Sequence, residues 1–101
     1  MKKILVIEDE PEMRRNITAL LRYYDYESIA AENGRAGIEA AGREKPDLIL
    51  CDVMMPELDG FGVLQALQKD ALLGRIPFIF LTAKGGSPGS APGLPMMNIL
   101  R

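Results

Sequence analysis

An α/β fold built on a doubly wound parallel sheet is predicted by three observations. Strand-like runs and helix-period segments alternate in strict order from residue 3 to residue 81. The runs Lys3-Ile4-Leu5-Val6-Ile7 and Asp47-Leu48-Ile49-Leu50-Cys51 are apolar without alternation, as in strands buried on both faces. Each run ends in carboxylates, Glu8-Asp9-Glu10 after the first and Asp52 after the second. If these strands are parallel neighbours, their acids meet at one rim of the sheet, the edge at which open α/β sheets do their chemistry. A cation-binding acidic pocket with one aspartate placed to react is the expected result.

The elements follow in order. Residues 3–8 read as the first strand, and Pro11 opens a helix whose cap is Asp9 or Glu10. Met13, Ile17, Leu20, Leu21 and Tyr24 recur at helical spacing, with Arg14, Arg15, Asn16 and Arg22 on the other face. Tyr26 to Ala31 is a weaker second strand, punctuated by Asn33-Gly34. A small-residue helix through Ala36, Ile38, Ala40 and Ala41 runs to about Glu44, where Lys45-Pro46 stops it. The third strand covers Leu48 to Cys51. A loop through Pro56 leads to a helix from about Asp59 to Leu72, with Phe61, Val63, Leu64 and Leu67 inward. Gly74 and Pro77 bound a fourth strand, Phe78-Ile79-Phe80-Leu81.

The chain changes character at Lys84. Nine of the eleven residues 85–95 are Gly, Ser or Pro, the composition of a flexible linker. The apolar run Met96-Met97-Asn98-Ile99-Leu100 follows. Two units are therefore expected, 1–84 as a domain and 85–101 as linker and short apolar tail.

Bulk composition narrows the function classes. With 101 residues, 48% hydrophobic, 26% charged and a net charge of −2, the chain reads as one globular domain. No Lys/Arg cluster suggests a nucleic-acid surface. One cysteine, Cys51, makes no internal disulfide and fits a reducing compartment; its residue type on an apolar strand points to a buried small hydrophobe. The opening apolar stretch is too short for a signal peptide or membrane span, so a cytoplasmic location is expected. The sequence contains no histidine, which argues against the usual triads and zinc sites, and no phosphate-binding glycine loop ending in Lys-Ser/Thr. Asp52-Val53-Met54 lacks the second aspartate of phosphatases that use Asp-x-Asp, so the chain is not expected to be an enzyme.

Three segments carry a specific resemblance: Ile4-Leu5-Val6-Ile7-Glu8-Asp9-Glu10-Pro11, Pro46 through Gly60 with Asp52-Val53-Met54-Met55-Pro56-Glu57-Leu58-Asp59-Gly60, and Ile79-Phe80-Leu81-Thr82-Ala83-Lys84. In type, order and spacing they resemble the response-regulator receiver domain of two-component signalling, over about residues 2–84. The resemblance implies a flavodoxin-like receiver fold with strand order 2-1-3-4. It implies Asp52 as phosphoacceptor, Thr82 as the hydroxyl that reaches the bound phosphoryl group, and Mg²⁺ held by Glu8, Asp9, Asp52 and the backbone carbonyl of Met54. It implies a sensor histidine kinase or phosphotransfer protein as partner. Elementary electrostatics agrees, since clustered carboxylates need a cation and Mg²⁺ prefers oxygen ligands with retained waters. Asp9 as a mere helix cap, Thr82 as an ordinary strand-end residue, and Glu10 and Glu57 as solvated charges are the plainer readings.

The resemblance fails at the end of the chain. The family's fifth-strand lysine, its aromatic switch residue and its last two helices have no counterpart, and no lysine follows Lys84. A truncated domain or one with an aberrant tail is expected, with the fifth strand missing or replaced and phosphorylation impaired. Without a fifth strand, the fourth becomes an exposed apolar edge open to self-association, and the first helix leaves an apolar patch uncovered. Eleven linker residues span roughly 36 Å when extended, enough to return Met97–Leu100 beside the fourth strand as a surrogate. A non-signalling fragment or a kinase-binding module is the alternative function.

Overall fold

The chain runs β1 (Lys3–Ile7), α1 (Pro11–Tyr23), β2 (Glu27–Ala31), α2 (Gly34–Glu44), β3 (Leu48–Asp52), α3 (Gly60–Gln68), a 3-10 turn (Leu73–Arg75), β4 (Phe78–Leu81) and β5 (Met97–Leu100). This is a computed structural model, which describes residues 2–81 and 97–100. One sheet holds the strands in the order β2-β1-β3-β4-β5. The first four are parallel, with Ile7 beside Ala31 and Cys51, and Asp52 beside Leu81. The predicted doubly wound sheet and its 2-1-3-4 order are thus present.

β5 answers the question left by the tail. It pairs antiparallel with β4, Leu81 opposite Met97 and Phe78 opposite Leu100. The expectation of β4 as an exposed edge is therefore corrected: β5 takes up its ladder groups, and the sheet edge moves to β5. The physical reason is the unmet row of N–H and C=O groups on β4, which any extended apolar segment within reach can satisfy.

Side chains of β1 alternate between two cores. Leu5 and Ile7 join Ile49, Cys51, Val63, Leu67, Phe78 and Phe80 under α2 and α3. Ile4 and Val6 join Leu50, Leu81 and Ile17 of α1 on the other face. Only α1 covers that second face among the described residues, and the stripe predicted for it is only partly buried. Ile17 is buried, but Leu20 and Tyr24 are 51% and 62% exposed, since no neighbouring helix meets them. This is the uncovered patch the sequence implied.

Local signals account for the helix ends. Glu10 caps α1, its carboxylate accepting from the N–H groups of Glu12 and Met13. Asn33 caps α2 through Ala36 N–H at 2.8 Å, and Lys45 closes it in the left-handed conformation before Pro46. α3 stops at Gln68, four residues before the predicted end. The carboxylate of Asp70 accepts from Leu72 and Leu73 N–H at 2.8 and 3.0 Å, starting a new turn and holding the Asp70 carboxyl below the usual carboxylate range. Phe61, predicted inward, is 54% exposed; it lies off the Val63–Leu67 face and rests on Phe80, centroids 4.8 Å apart. Among the described residues no helix is long and apolar enough to cross a membrane.

Candidate metal centre

Strand register assembles the site. Ile7 and Cys51 are paired at the carboxyl ends of β1 and β3, so the next residues along, Glu8 and Asp52, emerge side by side. Leu48 and Leu50 face α1, and alternation turns Asp52 to that same side, away from Cys51. Carboxylate oxygens of Glu8, Asp9 and Asp52 all lie within 4.8 Å of one another. Glu8 and Asp52 are each 1% exposed, and Asp9 is half-buried. Two charges at that spacing repel by about 3 kcal/mol at an effective dielectric near 20.

Two of the acids, Glu8 and Asp52, are held by nearby main-chain groups. Glu8 N–H donates to Ala31 O at 3.1 Å, and the Glu8 carboxylate accepts from Glu10 N–H at 2.9 Å. Asp52 Oδ1 accepts from Met54 N–H at 3.3 Å. Because Glu10 takes the capping position, Asp9 turns to the pocket instead, which resolves the choice between the two. Glu10 and Glu57 are exposed and stand outside the cluster. Thr82 and Lys84 lie outside the described residues.

The loop after β3 is packed tightly against the end of that strand. Gly60 N–H donates to Val53 O at 2.9 Å. A Cβ on Gly60 would sit 2.5 Å from Asp52 O and 3.0 Å from Val53 Cα, backbone atoms that cannot yield. Only glycine permits this approach. Glu57 is held at φ 68°, a left-handed conformation that costs a non-glycine residue about 1 kcal/mol. Asp59 caps α3 through Gly62 N–H at 2.9 Å.

Sequence reasoning overlooked Arg14, assigning it to the solvent face of α1. Its guanidinium instead reaches back to Glu8 O at 2.8 Å and Asp9 O at 3.5 Å. The available signal was a cation one helical turn beyond an acidic cluster that leads straight into a helix.

The donor set suits a hard divalent cation. Among the described residues three carboxylates converge with no nitrogen or sulfur ligand, the oxygen-only chemistry that Mg²⁺ prefers. Cys51 is fully buried on the opposite sheet face. Burial first, then the negative charges of Asp52, Glu8 and Asp59, pushes its thiol well above the ordinary cysteine range. The sign of the linkage follows. The unfolded thiol ionises near 8.5 while the folded one stays protonated, so this group's contribution is intact below about pH 8.5 and is lost as pH rises. Stability is expected to fall by up to about 1.4 kcal/mol per pH unit above that point, and Cys51→Ala to flatten the slope. Urea melts between pH 7.5 and 10 on both proteins measure it.

Comparison with known proteins agrees with the geometry. The family model described as the response regulator receiver domain matches residues 4–92. Protein PilH of Pseudomonas aeruginosa is 40% identical over 84 residues, covering 83% of this chain and 69% of PilH. A probable transcriptional regulator, ycf27 of Pyropia yezoensis, is 44% identical over 84 residues, but the chain spans only 33% of its length. Among solved structures, the N-terminal domain of a response regulator receiver protein from Methanoculleus marisnigri superposes with a TM-score of 0.80 at 34% identity, covering 87% of this chain and 72% of that one. The receiver domain of a Pseudomonas aeruginosa sensor histidine kinase, solved with a magnesium ion coordinated in its active-site cleft, gives 0.78 at 32% identity, covering 82% and 68%. With its fold, its acidic rim and these matches in accord, the chain belongs to the response regulator receiver domain family.

Proposed function

We propose that this chain is a phosphoacceptor module of two-component signalling, loaded on Asp52 by a sensor histidine kinase or a phosphotransfer protein in the cytoplasm. The observation that carries it is the convergence of Glu8, Asp9 and Asp52 at the carboxyl ends of β1 and β3. Magnesium, held by these carboxylates and the Met54 carbonyl, would neutralise them and the incoming phosphoryl oxygens. A carboxylate oxygen of Asp52 attacks phosphorus as the P–N bond of the donor phosphohistidine breaks. The phosphoryl group becomes an aspartyl phosphate, and the departing imidazole nitrogen takes up a proton. Thr82 is assigned to the phosphoryl oxygen. The chain acts as a stoichiometric acceptor and not as an enzyme.

Transfer is slow in our reading. The impairment is read from residues 85–101, which hold no lysine to match the one the family places beside the phosphoryl group. Incubation of the purified chain with acetyl phosphate and Mg²⁺, followed on a phosphate-affinity gel, tests both statements. Weak, Mg²⁺-dependent labelling is expected. Labelling as fast as in an intact receiver would remove the impairment, and none at all would favour a non-signalling fragment or a kinase-binding module.

A further inference from the structure

We infer that Arg14 is a positioning residue for the divalent cation, holding the main chain that carries two of its three carboxylates. The inference rests on the Mg²⁺ reading above and adds a residue to it. Glu8 and Asp9 lie past the end of β1, where the strand ladder no longer constrains both of them. Glu8 keeps one bond to β2 through Ala31 O. One guanidinium nitrogen of Arg14, Nη1, donates to Glu8 O at 2.8 Å and reaches Asp9 O at 3.5 Å, a longer and weaker contact.

The helix end of this clamp is rigid. Arg14 N–H donates to Glu10 O at 2.9 Å, and Thr18 Oγ1 donates to Arg14 O and Arg15 O, both at 3.1 Å. Arg14 is half-buried, so its charged Nη1 donor is held in a partly desolvated setting where such bonds count for more. These two Nη1 bonds go to main-chain carbonyls and not to the carboxylates of the cluster. Groups that orient metal ligands from behind typically change affinity by about 10–100-fold when removed. Arg14 acts through the main chain, which points to the lower end of that range.

Charge and position predict opposite results. A cation near an acidic pocket competes with Mg²⁺ by repulsion, so loss of a purely electrostatic arginine would tighten binding. Loss of a clamp loosens it. Isothermal titration of the full chain with MgCl₂ distinguishes these, using wild type, Arg14→Gln and Arg14→Lys, each checked for folding by circular dichroism. Arg14→Gln is expected to weaken Mg²⁺ about tenfold, and Arg14→Lys, which keeps a charged donor but not the reach of Nη1, about threefold. Metal-free urea midpoints are recorded on the same samples, because a merely structural arginine would lower the midpoint and leave affinity unchanged. Unchanged or tighter binding in a folded Arg14→Gln or Arg14→Lys protein overturns the inference while wild-type binding upholds the metal site. No binding by wild type overturns the metal site itself, and the inference with it.

Discussion

Asp52→Asn is expected to abolish phosphoryl labelling, by at least about 1,000-fold, while the chain stays folded. Under the proposed function Asp52 supplies the attacking oxygen, and removing a nucleophile has effects of this order. The exchange is nearly isosteric, and the side chain that it alters is 1% exposed at the end of a central strand. Folding is expected to improve without metal. Asp52 shares its pocket with Glu8, also 1% exposed, and removing one of the two buried charges relieves a repulsion of about 3 kcal/mol at an effective dielectric near 20. The midpoint in urea with chelator present should therefore rise, and added Mg²⁺ should raise it less than in wild type. Label retained by the asparagine variant would show that another residue accepts the phosphoryl group.

Phe78→Ala carries the largest expected cost to stability, about 3–5 kcal/mol. Phe78 is 1% exposed and heads the fully buried side chains by volume. It meets Phe80 edge-on at 5.2 Å between centroids, and its main chain pairs with Ile49 on one side and Leu100 on the other. Small domains hold only about 5–15 kcal/mol in total, so much of this chain's margin would go. Because β4 supports the strand that ends in Asp52, the loss should reach the site as weaker Mg²⁺ protection against thermal unfolding. Urea denaturation followed by circular dichroism gives the number, and a cost below about 1 kcal/mol would mean that the core closes around the gap.

The strands and the acidic cluster were legible because their signals are local. A run such as Ile4-Leu5-Val6-Ile7 has one comfortable home, the interior of a parallel sheet, and the acids that end it must then lie at the rim. Boundaries set by side-chain competition were harder. α3 ends at Gln68 because Asp70 captures two N–H groups, a bond that hydrophobic periodicity does not register. Phe61 looked inward by hydropathy alone, yet Val63 and Leu67 define the buried face, and Phe61 does not share it.

Residue order alone determined the parallel four-stranded core, the acidic pair after the first strand, and Asp52 after the third. Apolar runs, caps and turns act over a few neighbours, and their physics needs no distant partner. Only the tertiary arrangement decided that Glu10 caps while Asp9 joins Glu8 and Asp52, that Arg14 turns back onto their carbonyls, and that Met97–Leu100 closes the sheet beside β4 in the antiparallel sense. Those outcomes depend on which buried polar groups and open ladder positions meet after the chain has collapsed, and that is a property of contacts far apart in sequence.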